Sequence, residues 1–266
     1  MIEQIRENKL ALVTTVVSVV KQQWRVLLTG VQFLTIVPVR IVPAPTPQEV
    51  GYSLSYYPLI GLLIGAVLWS SAHLFAGFSA ELSAALMLVV WVIITGGLHL
   101  DGLADSADAW HGGRGDPPRM LAIMKDPHCG PAAVVWVVLV LLMKYGALVA
   151  ILTNNLIAVL FLVPCLARAA VVVLMMTTPY VRAGGLGSAL VEHKSNARLV
   201  IVLAFTTLLV VATFHVAGFI VLGVSAVSLL ILRRLMLRNI GGTTGDTAGA
   251  LIELTEAAVL VAAAAA

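Results

Sequence analysis

The sequence has few charged residues and few cysteines. Asp, Glu, Lys and Arg make up 11% of its 266 residues, against about 25% in an ordinary soluble domain. Hydrophobic residues make up 60%, and the mean hydropathy of +1.03 lies far above the range of soluble domains. The two cysteines, Cys129 and Cys165, are too few for a disulfide framework. This composition excludes a soluble globular domain and predicts an integral membrane protein.

Apolar runs of nearly membrane-spanning length recur along the chain. A spanning helix needs about 20 predominantly apolar residues, and seven segments approach or exceed that length. We therefore predict an all-α polytopic membrane bundle with about seven transmembrane helices, within a range of six to eight. The predicted spans are 54–76, 82–98, 131–152, 156–178, 198–216, 217–232 and 248–266.

The N-terminal residues are harder to assign. LALVTTVVSVV is too short to span, and three basic residues interrupt the apolar run that follows it. We predict an interfacial or re-entrant segment over 1–39, with one additional span as the alternative. MIEQIRENK is mixed in charge and no small-residue cleavage site follows, so we expect no signal peptide. PAPTP at 43–47 predicts a stiff linker, and we expect 40–266 to form a single membrane-embedded catalytic domain.

Basic residues concentrate on one set of connections between the predicted spans. Of the 16 Lys and Arg residues, 14 lie in one set of connections, counted with the N-terminal segment, or at its immediate border. The exceptions, Lys144 and Arg168, fall within predicted spans, and the opposite connections contain no Lys or Arg. The positive-inside rule places basic connections on the cytoplasmic side. The predicted cytoplasmic loops are 99–129, 179–197 and 233–247.

The stretch GGLHLDGLADSADAW, residues 96–110, carries three aspartates at the end of the second predicted span. On a continuous helix, Asp101, Asp105 and Asp108 share one face. Three unpaired carboxylates this close would repel one another, and a divalent cation such as Mg²⁺, Mn²⁺ or Ca²⁺ would relieve that repulsion. The alternative is a solvated helix end without a ligand. The stripe therefore favours a metal site.

The chain after the stripe predicts a short helix that returns to the membrane surface. Asp116 is suited to cap it and Pro117 to begin it, and Pro127 ends it. This helix would bring Lys125 and Asp126 back to the start of the next span.

Basic side chains beside the aspartates indicate a phosphate or pyrophosphate substrate, whose charge must be neutralised during transfer. Ordinary positive-inside anchoring is the alternative. The bases concerned are Arg114, Arg119 and Lys125. The nearby histidines fit no common zinc pattern: they are His99, His111 and His128.

Further charges lie within predicted spans, where an unpaired charge is costly. Arg168 requires an acidic partner or a ligand, with a structural ion pair as the alternative. Glu253 and Glu256 lie inside the last span and require a cation or a proton. Before them, the Gly- and Thr-rich NIGGTTGDT leads into a helix that Asp246 is placed to cap. This is a weak phosphate-binding signal, because the GK[ST] of a Walker loop is absent.

These motifs resemble those of the adenosylcobinamide-GDP ribazoletransferase (cobalamin synthase) family. The specific part is HLDGLADSADA followed by IMKD at 123–126. Other segments match in the family's order from about residue 27 to the C-terminus: VQFLTIVPV, YYPLIGLLIGA, RMLAIMKDPHCGP, LARAAVVVL, PYVRAGGLG and GGTTGDTAGALIELTE.

The resemblance implies a phosphoryl-group transfer in the cytoplasmic membrane of a prokaryote, with the active-site loops cytoplasmic. A hydroxyl of α-ribazole, or of its 5′-phosphate, attacks the cobinamide-side phosphorus of adenosylcobinamide-GDP, and GMP leaves. Adenosylcobalamin or its 5′-phosphate forms, with Mg²⁺ as the expected cofactor and Mn²⁺ as the alternative. Membrane lipid is the expected surrounding and no nucleic acid is expected. Homo-oligomers and contacts with other cobalamin-pathway enzymes are compatible with this setting.

Residue roles follow from that reaction. The predicted catalytic residues are Asp126 as general base, Asp108 as the alternative base, and Lys125. The predicted metal ligands are Asp101, Asp105 and Asp108. The predicted substrate-binding residues are Arg114, Arg119, Arg168, Arg182, Asp246 and Glu253.

Two functions of other classes compete with this prediction. A cation-coupled transporter would relay ions through Asp101, Glu253 and Glu256. However, the sequence shows no inverted repeat, and its acidic residues concentrate on one side instead of at the midplane. A purely structural membrane scaffold would leave the aspartate stripe without a role.

Overall fold

The predicted all-α class is confirmed. A computed structural model describes residues 2–182, 184 and 186–265, and these residues form helices and turns without a β-strand. Side-chain surroundings are described for 15–182, 184 and 187–265. The α-helices are α1 Ile2–Leu34, α2 Pro47–Ser53, α3 Tyr57–Leu74, α4 Ala80–Thr95, α5 Leu98–Gly113, α6 Pro117–Ile123, α7 Pro131–Thr153, α8 Leu162–Thr177, α9 Leu186–Glu192, α10 Asn196–Ile240 and α11 Gly245–Ala265. Short 3₁₀ helices, Leu54–Tyr56 and Ile157–Phe161, precede α3 and α8.

Five helical segments of the described chain are long and apolar enough to span a membrane, and α4 with α5 forms a sixth if the pair counts as one broken span. The five are Pro47–Leu74, Pro131–Thr153, Ile157–Thr177, Asn196–Ile240 and Gly245–Ala265. This agrees with a polytopic membrane bundle.

Helix α10 supplies two of the predicted spans, because it folds back on itself at His215. A straight helix of its 45 residues would be about 67 Å long, more than twice the thickness of the hydrocarbon layer. His215 has φ 47° and ψ −120°, outside the helical region. A Cβ on Gly218 would come within 2.8 Å of the carbonyl oxygen of Val210. In a straight helix these two residues would be about 12 Å apart along the axis. The chain therefore bends sharply at His215, at the border between the predicted spans 198–216 and 217–232, and the arms 196–214 and 216–240 approach each other closely beside the bend.

A pair of glycines turns the chain sharply between α4 and α5. Gly96 and Gly97 both have positive φ, 64° and 68°, a conformation that costs little only without a Cβ. Their N–H groups donate to the carbonyls of Ile93 and Val92, which closes the end of α4. The axes of α4 and α5 differ by 87°, so α5 does not continue α4 and instead packs against α7 and α11.

The N-terminal segment is helical over Ile2–Leu34, and α1 packs against α2 and α3. Arg25 pairs with Glu49 at 2.7 Å and also donates to the carbonyls of Val42 and Pro43, which ties the predicted linker to both helices. The side chains of residues 1–14 lie outside the described residues. The interfacial or re-entrant position of 1–39 stays a prediction.

Helices α8 and α11 form the centre of the bundle. In the most apolar stretch of Ile157–Thr177, 78% of the residues are buried within the protein, and in that of α11 67% are buried. The corresponding fractions are only 28% in α7 and 17% in α10. The outer helices therefore present most of their apolar side chains outward, as a bilayer requires. Polar groups on α8 and α11, by contrast, must find partners within the protein.

Candidate active site

The aspartate stripe lies on one continuous helix, as predicted. Helix α5 runs from Leu98 to Gly113 and includes Asp101, Asp105 and Asp108. Gly102 does not interrupt it. A Cβ on Gly102 would come within 2.6 Å of the backbone oxygen of Asp246, so this glycine allows α5 and α11 to pack closely.

The short helix after the stripe is also present. Asp116 accepts a hydrogen bond from the N–H of Arg119 at 3.3 Å, and Pro117 begins α6. The helix ends at Ile123 and the chain turns back, placing Lys125 and Asp126 near α5. The predicted loop 99–129 is therefore mostly helical, as α5 and α6.

Asp108 connects α5 to the first turn of α7. Its two oxygens accept hydrogen bonds from the N–H of Gly130 at 2.6 Å and of Ala133 at 2.9 Å. A carboxylate is stabilised at a helix N-terminus by the unpaired N–H groups and the helix dipole. A Cβ on Gly130 would lie 2.6 Å from the Asp108 Oδ1 atom, so the close approach requires glycine.

The Gly- and Thr-rich turn before α11 is built from threonine hydrogen bonds. Thr244 Oγ1 accepts from the N–H of Thr247 at 3.2 Å, and Thr247 Oγ1 accepts from the N–H of Thr244 at 2.9 Å. This reciprocal pair satisfies two N–H groups at the start of α11. Thr244 therefore caps the helix, and the prediction that Asp246 caps it is wrong, because Asp246 lies in the first turn.

A second segment holds Asp246 in place. Pro179 accepts a hydrogen bond from the N–H of Thr243 at 2.8 Å, and the N–H of Val181 donates to Thr243 at 3.0 Å. This parallel bridge brings Arg182 beside α11, where its Nη1 atom donates to Asp246 Oδ2 at 2.9 Å.

One cavity collects most of the predicted site residues. Its volume is about 440 Å³. The predicted residues that line it are Asp101, Asp105, Asp108, Lys125, Asp126, Arg182 and Asp246. They come from α5, the turn after α6, the segment after α8, and α11, so the fold brings together groups that are far apart in sequence. Carboxylates together with two basic side chains around one cavity suit a substrate with a charged phosphate group.

Four predicted substrate-binding residues lie away from this cavity. Arg114 ends α5 in the left-handed conformation, with φ 47°, and Arg119 is exposed on α6. Arg168 and Glu253 are 0% and 3% exposed and lie inside the bundle. The structure therefore gives Arg168 and Glu253 a different environment from the cavity.

Arg168 and Glu253 belong to a buried charge network that also contains Lys144 and Glu256. Lys144 Nζ donates to Glu253 at 2.6 Å and to Glu256 at 2.5 Å, and Arg168 Nη1 donates to Glu256. The charged residues inside the spans therefore serve as partners for one another. The role of Lys144 was missed in the sequence, although a lone lysine inside a span was the signal for it.

The chemistry of the cavity fits Mg²⁺. Among the described residues, no three Asp, Glu, His or Cys side chains converge closely enough to hold a metal ion by themselves. Mg²⁺ does not require such a cage, because it keeps several waters and is usually bound by one or two carboxylates plus substrate phosphates. Asp101 and Asp105, one helical turn apart on the cavity wall, supply such oxygens. Metal binding stays a prediction.

Asp126 is held as a carboxylate by His128. The backbone N–H of His128 donates to Asp126 Oδ1 at 3.0 Å, and the ring Nδ1 atom lies 2.5 Å from the same oxygen. These two contacts, the backbone one first, lower the pKa of Asp126 below its ordinary value. Asp126 is therefore ionised at neutral pH, as an acceptor for a hydroxyl must be.

The fold and the cavity define a polytopic membrane protein with a charged site at one end of its helices. Residues 26–264 match the family model described as cobalamin-5-phosphate synthase, and the chain belongs to that family. The predicted resemblance is confirmed. Family membership decides against the transporter and scaffold alternatives.

Similar curated proteins cover most of the chain. A protein of Stutzerimonas stutzeri is 53% identical over 238 residues, which is 88% of this chain and 96% of the relative. A protein of Pseudomonas aeruginosa is 51% identical over 242 residues, 91% of this chain and 98% of the relative. Both are named adenosylcobinamide-GDP ribazoletransferase. No solved structure matches the chain.

Proposed function

We propose that this chain is a membrane-bound adenosylcobinamide-GDP ribazoletransferase whose active site is the cavity between α5, α7 and α11. The observation that carries the proposal is the convergence of aspartates with Lys125 and Arg182 on one cavity, in a chain of the cobalamin-5-phosphate synthase family. A pyrophosphate substrate requires this combination of metal-binding oxygens and fixed positive charge.

The reaction transfers a phosphoryl group between two oxygens. A hydroxyl oxygen of α-ribazole, or of its 5′-phosphate, forms a bond to the cobinamide-side phosphorus of adenosylcobinamide-GDP. The phosphoanhydride bond to GMP breaks, and the electron pair of that bond leaves on the GMP phosphate. The hydroxyl proton passes to a base, and the products are GMP and adenosylcobalamin or its 5′-phosphate.

Asp101 and Asp105 are the residues that would hold Mg²⁺, with Mn²⁺ as the alternative. When bound, the cation neutralises charge on the pyrophosphate oxygens. Asp108 also faces the cavity, but its oxygens already bind the first turn of α7. Its main task is therefore to set the distance between α5 and α7 around the substrate.

Lys125 and Arg182 supply fixed positive charge at the cavity wall. Arg182 is held by Asp246, so its guanidinium is already oriented before substrate binds, and preorganised charge is the effective kind. Lys125 lies beside Asp126 and lines the same cavity. The two bases bind the pyrophosphate and stabilise the negative charge that develops on GMP.

Asp126 is the proposed acceptor for the attacking hydroxyl. With a lowered pKa it is a weak base, so it orients the hydroxyl and takes the proton late, as the new P–O bond forms. This suits phosphoryl transfer, whose loose transition state leaves little charge on the nucleophile until bond formation is advanced.

The proposed setting is the cytoplasmic membrane of a prokaryote, with the cavity on the cytoplasmic side. The distribution of Lys and Arg supports this orientation. A cytoplasmic cavity gives direct access to a nucleotide-activated substrate. Homo-oligomer formation and contacts with other enzymes of the pathway are proposals of the same kind, compatible with the apolar outer face of α7 and α10.

The test is GMP release by the purified protein. With adenosylcobinamide-GDP, α-ribazole and Mg²⁺ present, we expect GMP and a corrinoid product in equal amounts, and no GMP when α-ribazole is omitted. Arg182→Met should raise the KM for adenosylcobinamide-GDP. Arg198→Met is the matched control, because Arg198 stacks on the ring of Tyr52 away from the cavity. A folded protein that releases no GMP would overturn the proposal.

A further inference from the structure

The buried charge network joins three helices of the bundle. Lys144 of α7 contacts both Glu253 and Glu256 of α11, and Arg168 of α8 contacts Glu256. All four side chains are almost completely buried, with exposed side-chain fractions between 0% and 4%. Lys144 also lies 4.5 Å from the centre of the Trp91 ring of α4. Two cations therefore face two anions away from water.

The network is balanced in charge, and each member depends on the others. Removing one charge would leave the network with one buried charge that has no counter-charge, which costs far more than an ion pair contributes. Arg168 has one carboxylate partner among the described residues, Glu256, and its Nε and Nη2 atoms have no hydrogen-bond partner there. The position of Glu256 is therefore set by Lys144 on one side and Arg168 on the other.

The same face of α11 carries the network and the active-site aspartate. Asp246 precedes Glu253 by seven residues, which is two helical turns and about 10 Å along the axis. Between them, Gly249 packs against the backbone of α5, where a Cβ on Gly249 would lie 3.3 Å from the carbonyl oxygen of His99. A rotation of α11 would therefore move Asp246 and break the network together.

We propose that the buried charge network positions α11 against α7 and α8, and thereby holds Asp246 and its partner Arg182 at the active-site cavity. Lys144, Arg168, Glu253 and Glu256 are positioning residues that do not touch the substrate. Charge-assisted hydrogen bonds have a preferred geometry, whereas apolar contacts are non-directional, so the network favours one rotation and one depth of α11. The inference rests on the proposed function only for its activity measurement.

A double-mutant cycle on Lys144 and Glu253 tests the proposal. Lys144→Met, Glu253→Gln and the combined variant are assayed for GMP release per folded molecule, with kcat and KM determined separately. We expect each single change to lower kcat by about 10-fold or more with little change in KM. The combined variant should lose no more than either single one, because all three abolish the same contact.

Arg25→Met is the matched control. It removes another short ion pair, with Glu49 at 2.7 Å, between α1 and α2, which do not line the cavity. We expect a lower unfolding temperature and an unchanged kcat. Lys144→Arg keeps the charge and should retain most of the activity. If Lys144→Met does not accumulate as folded protein, the kcat values of the double variant, which keeps the charge balance, and of Lys144→Arg are compared with that of the unmutated protein instead.

Cross-linking measures the helix register independently of activity. Leu103 of α5 and Ala250 of α11 lie in one buried cluster. Cysteines at these two positions, in a background without Cys129 and Cys165, should form a disulfide on oxidation in membranes. We expect Lys144→Met/Glu253→Gln to reduce its yield, and Arg25→Met to leave the yield unchanged.

Three results would overturn the positioning role. Unchanged kcat and unchanged cross-linking in the double variant would mean that the network only supports folding. Additive losses of kcat would mean that Glu253 acts separately from Lys144. A raised KM in Glu253→Gln alone would indicate direct contact with substrate. Absence of GMP release in the unmutated protein would instead contradict the proposed function, and the cross-linking result would still decide the inference.

Discussion

The three aspartates of α5 share a helix face but differ in what they contact. Both oxygens of Asp108 accept backbone hydrogen bonds from the start of α7. Asp101 and Asp105 have no hydrogen bond or ion pair to any residue that the structure describes. Their negative charge is therefore available to a cation, whereas that of Asp108 is already partly compensated. The difference predicts different behaviour on substitution.

Asp101→Asn and Asp105→Asn should each lose turnover that added Mg²⁺ partly restores. The substitution is nearly isosteric and removes one charge, so it should weaken the proposed metal binding and the stabilisation of the transition state together. Loss of a comparable preorganised contact lowers kcat by roughly 100- to 1000-fold. The measurement is GMP release as a function of Mg²⁺ concentration.

The matched control for these variants is Glu81→Gln, which removes an exposed carboxylate from the first turn of α4. We expect its turnover and its Mg²⁺ dependence to equal those of the unmutated protein. Asp126→Asn should lose activity without recovery at high Mg²⁺, because the proposed role of Asp126 is to accept a proton. Near-normal turnover of the Asp101 and Asp105 variants at low Mg²⁺ would show that the stripe is not a metal site.

Asp108→Ala should destabilise the fold, unlike the changes at Asp101 and Asp105. It leaves the N–H groups of Gly130 and Ala133 without their acceptor in a part-buried site, where an unpaired donor costs up to the roughly 1–3 kcal/mol of a fully buried one. We expect a lower unfolding temperature in detergent and no recovery of activity with Mg²⁺. A variant with unchanged stability whose activity returns at high Mg²⁺ would make Asp108 a direct metal ligand instead.

At the scale of elements, close approach of α5 and α11 depends on glycine. Gly102→Ala would place a Cβ 2.6 Å from the Asp246 backbone oxygen, so the two helices must separate. We expect lower stability and a several-fold loss of GMP release, because Asp101 and Asp246 would move apart across the cavity. Unfolding temperature and kcat are the two measurements.

Gly146→Ala is the comparison for that change. Gly146 lies within α7, and a Cβ there meets no atom within 4 Å. Alanine in an exposed helix position stabilises by about 0.5–1 kcal/mol relative to glycine, so this variant should be at least as stable as the unmutated protein. Equal destabilisation by Gly102→Ala and Gly146→Ala would show that glycine in these helices serves no close contact.

The elements of the site could be predicted where the signal is local. Helix α6 follows from a capping aspartate with a proline after it, and the stripe on α5 follows from helical spacing alone. The 87° turn between α4 and α5 was not predicted. An apolar run ending in Gly96 and Gly97 has the composition of a single span, and its direction depends on φ values that composition does not specify.

For contacts between residues distant in sequence, the need for a partner could be predicted, but the identity of the partner could not. The cost of a buried charge shows that Arg168 and Glu256 require partners, but many pairings would satisfy it. Lys144 and Glu253 are 109 residues apart, and their pairing depends on how α7 packs against α11. In the same way, the parallel bridge that brings Arg182 to Asp246 leaves no trace in the sequence around either residue.

At the scale of the whole molecule, the membrane topology depends on the turn at His215. With α10 as two spans, both connections that carry Arg182 and Asp246 lie on the same side as α5 and α6. With α10 as one span, α11 and Asp246 would begin on the opposite side, and the cavity could not form. The side of the membrane on which residue 215 lies therefore tests the fold and the site together.

Single cysteines report that side directly, in a background without Cys129 and Cys165. His215→Cys, at the exposed turn of α10, and Glu192→Cys, at the exposed end of α9, should label from opposite faces. In intact cells an impermeant maleimide should modify residue 215 and not residue 192. Residue 192 should react only after the membrane is permeabilised. Asn155→Cys, exposed in the turn between α7 and the Ile157–Phe161 helix, serves as an independent marker that should behave as residue 215 does. Labelling of residue 192 in intact cells would reverse the orientation, and protection of residue 215 together with labelling of residue 155 would mean that α10 does not reach the outer face.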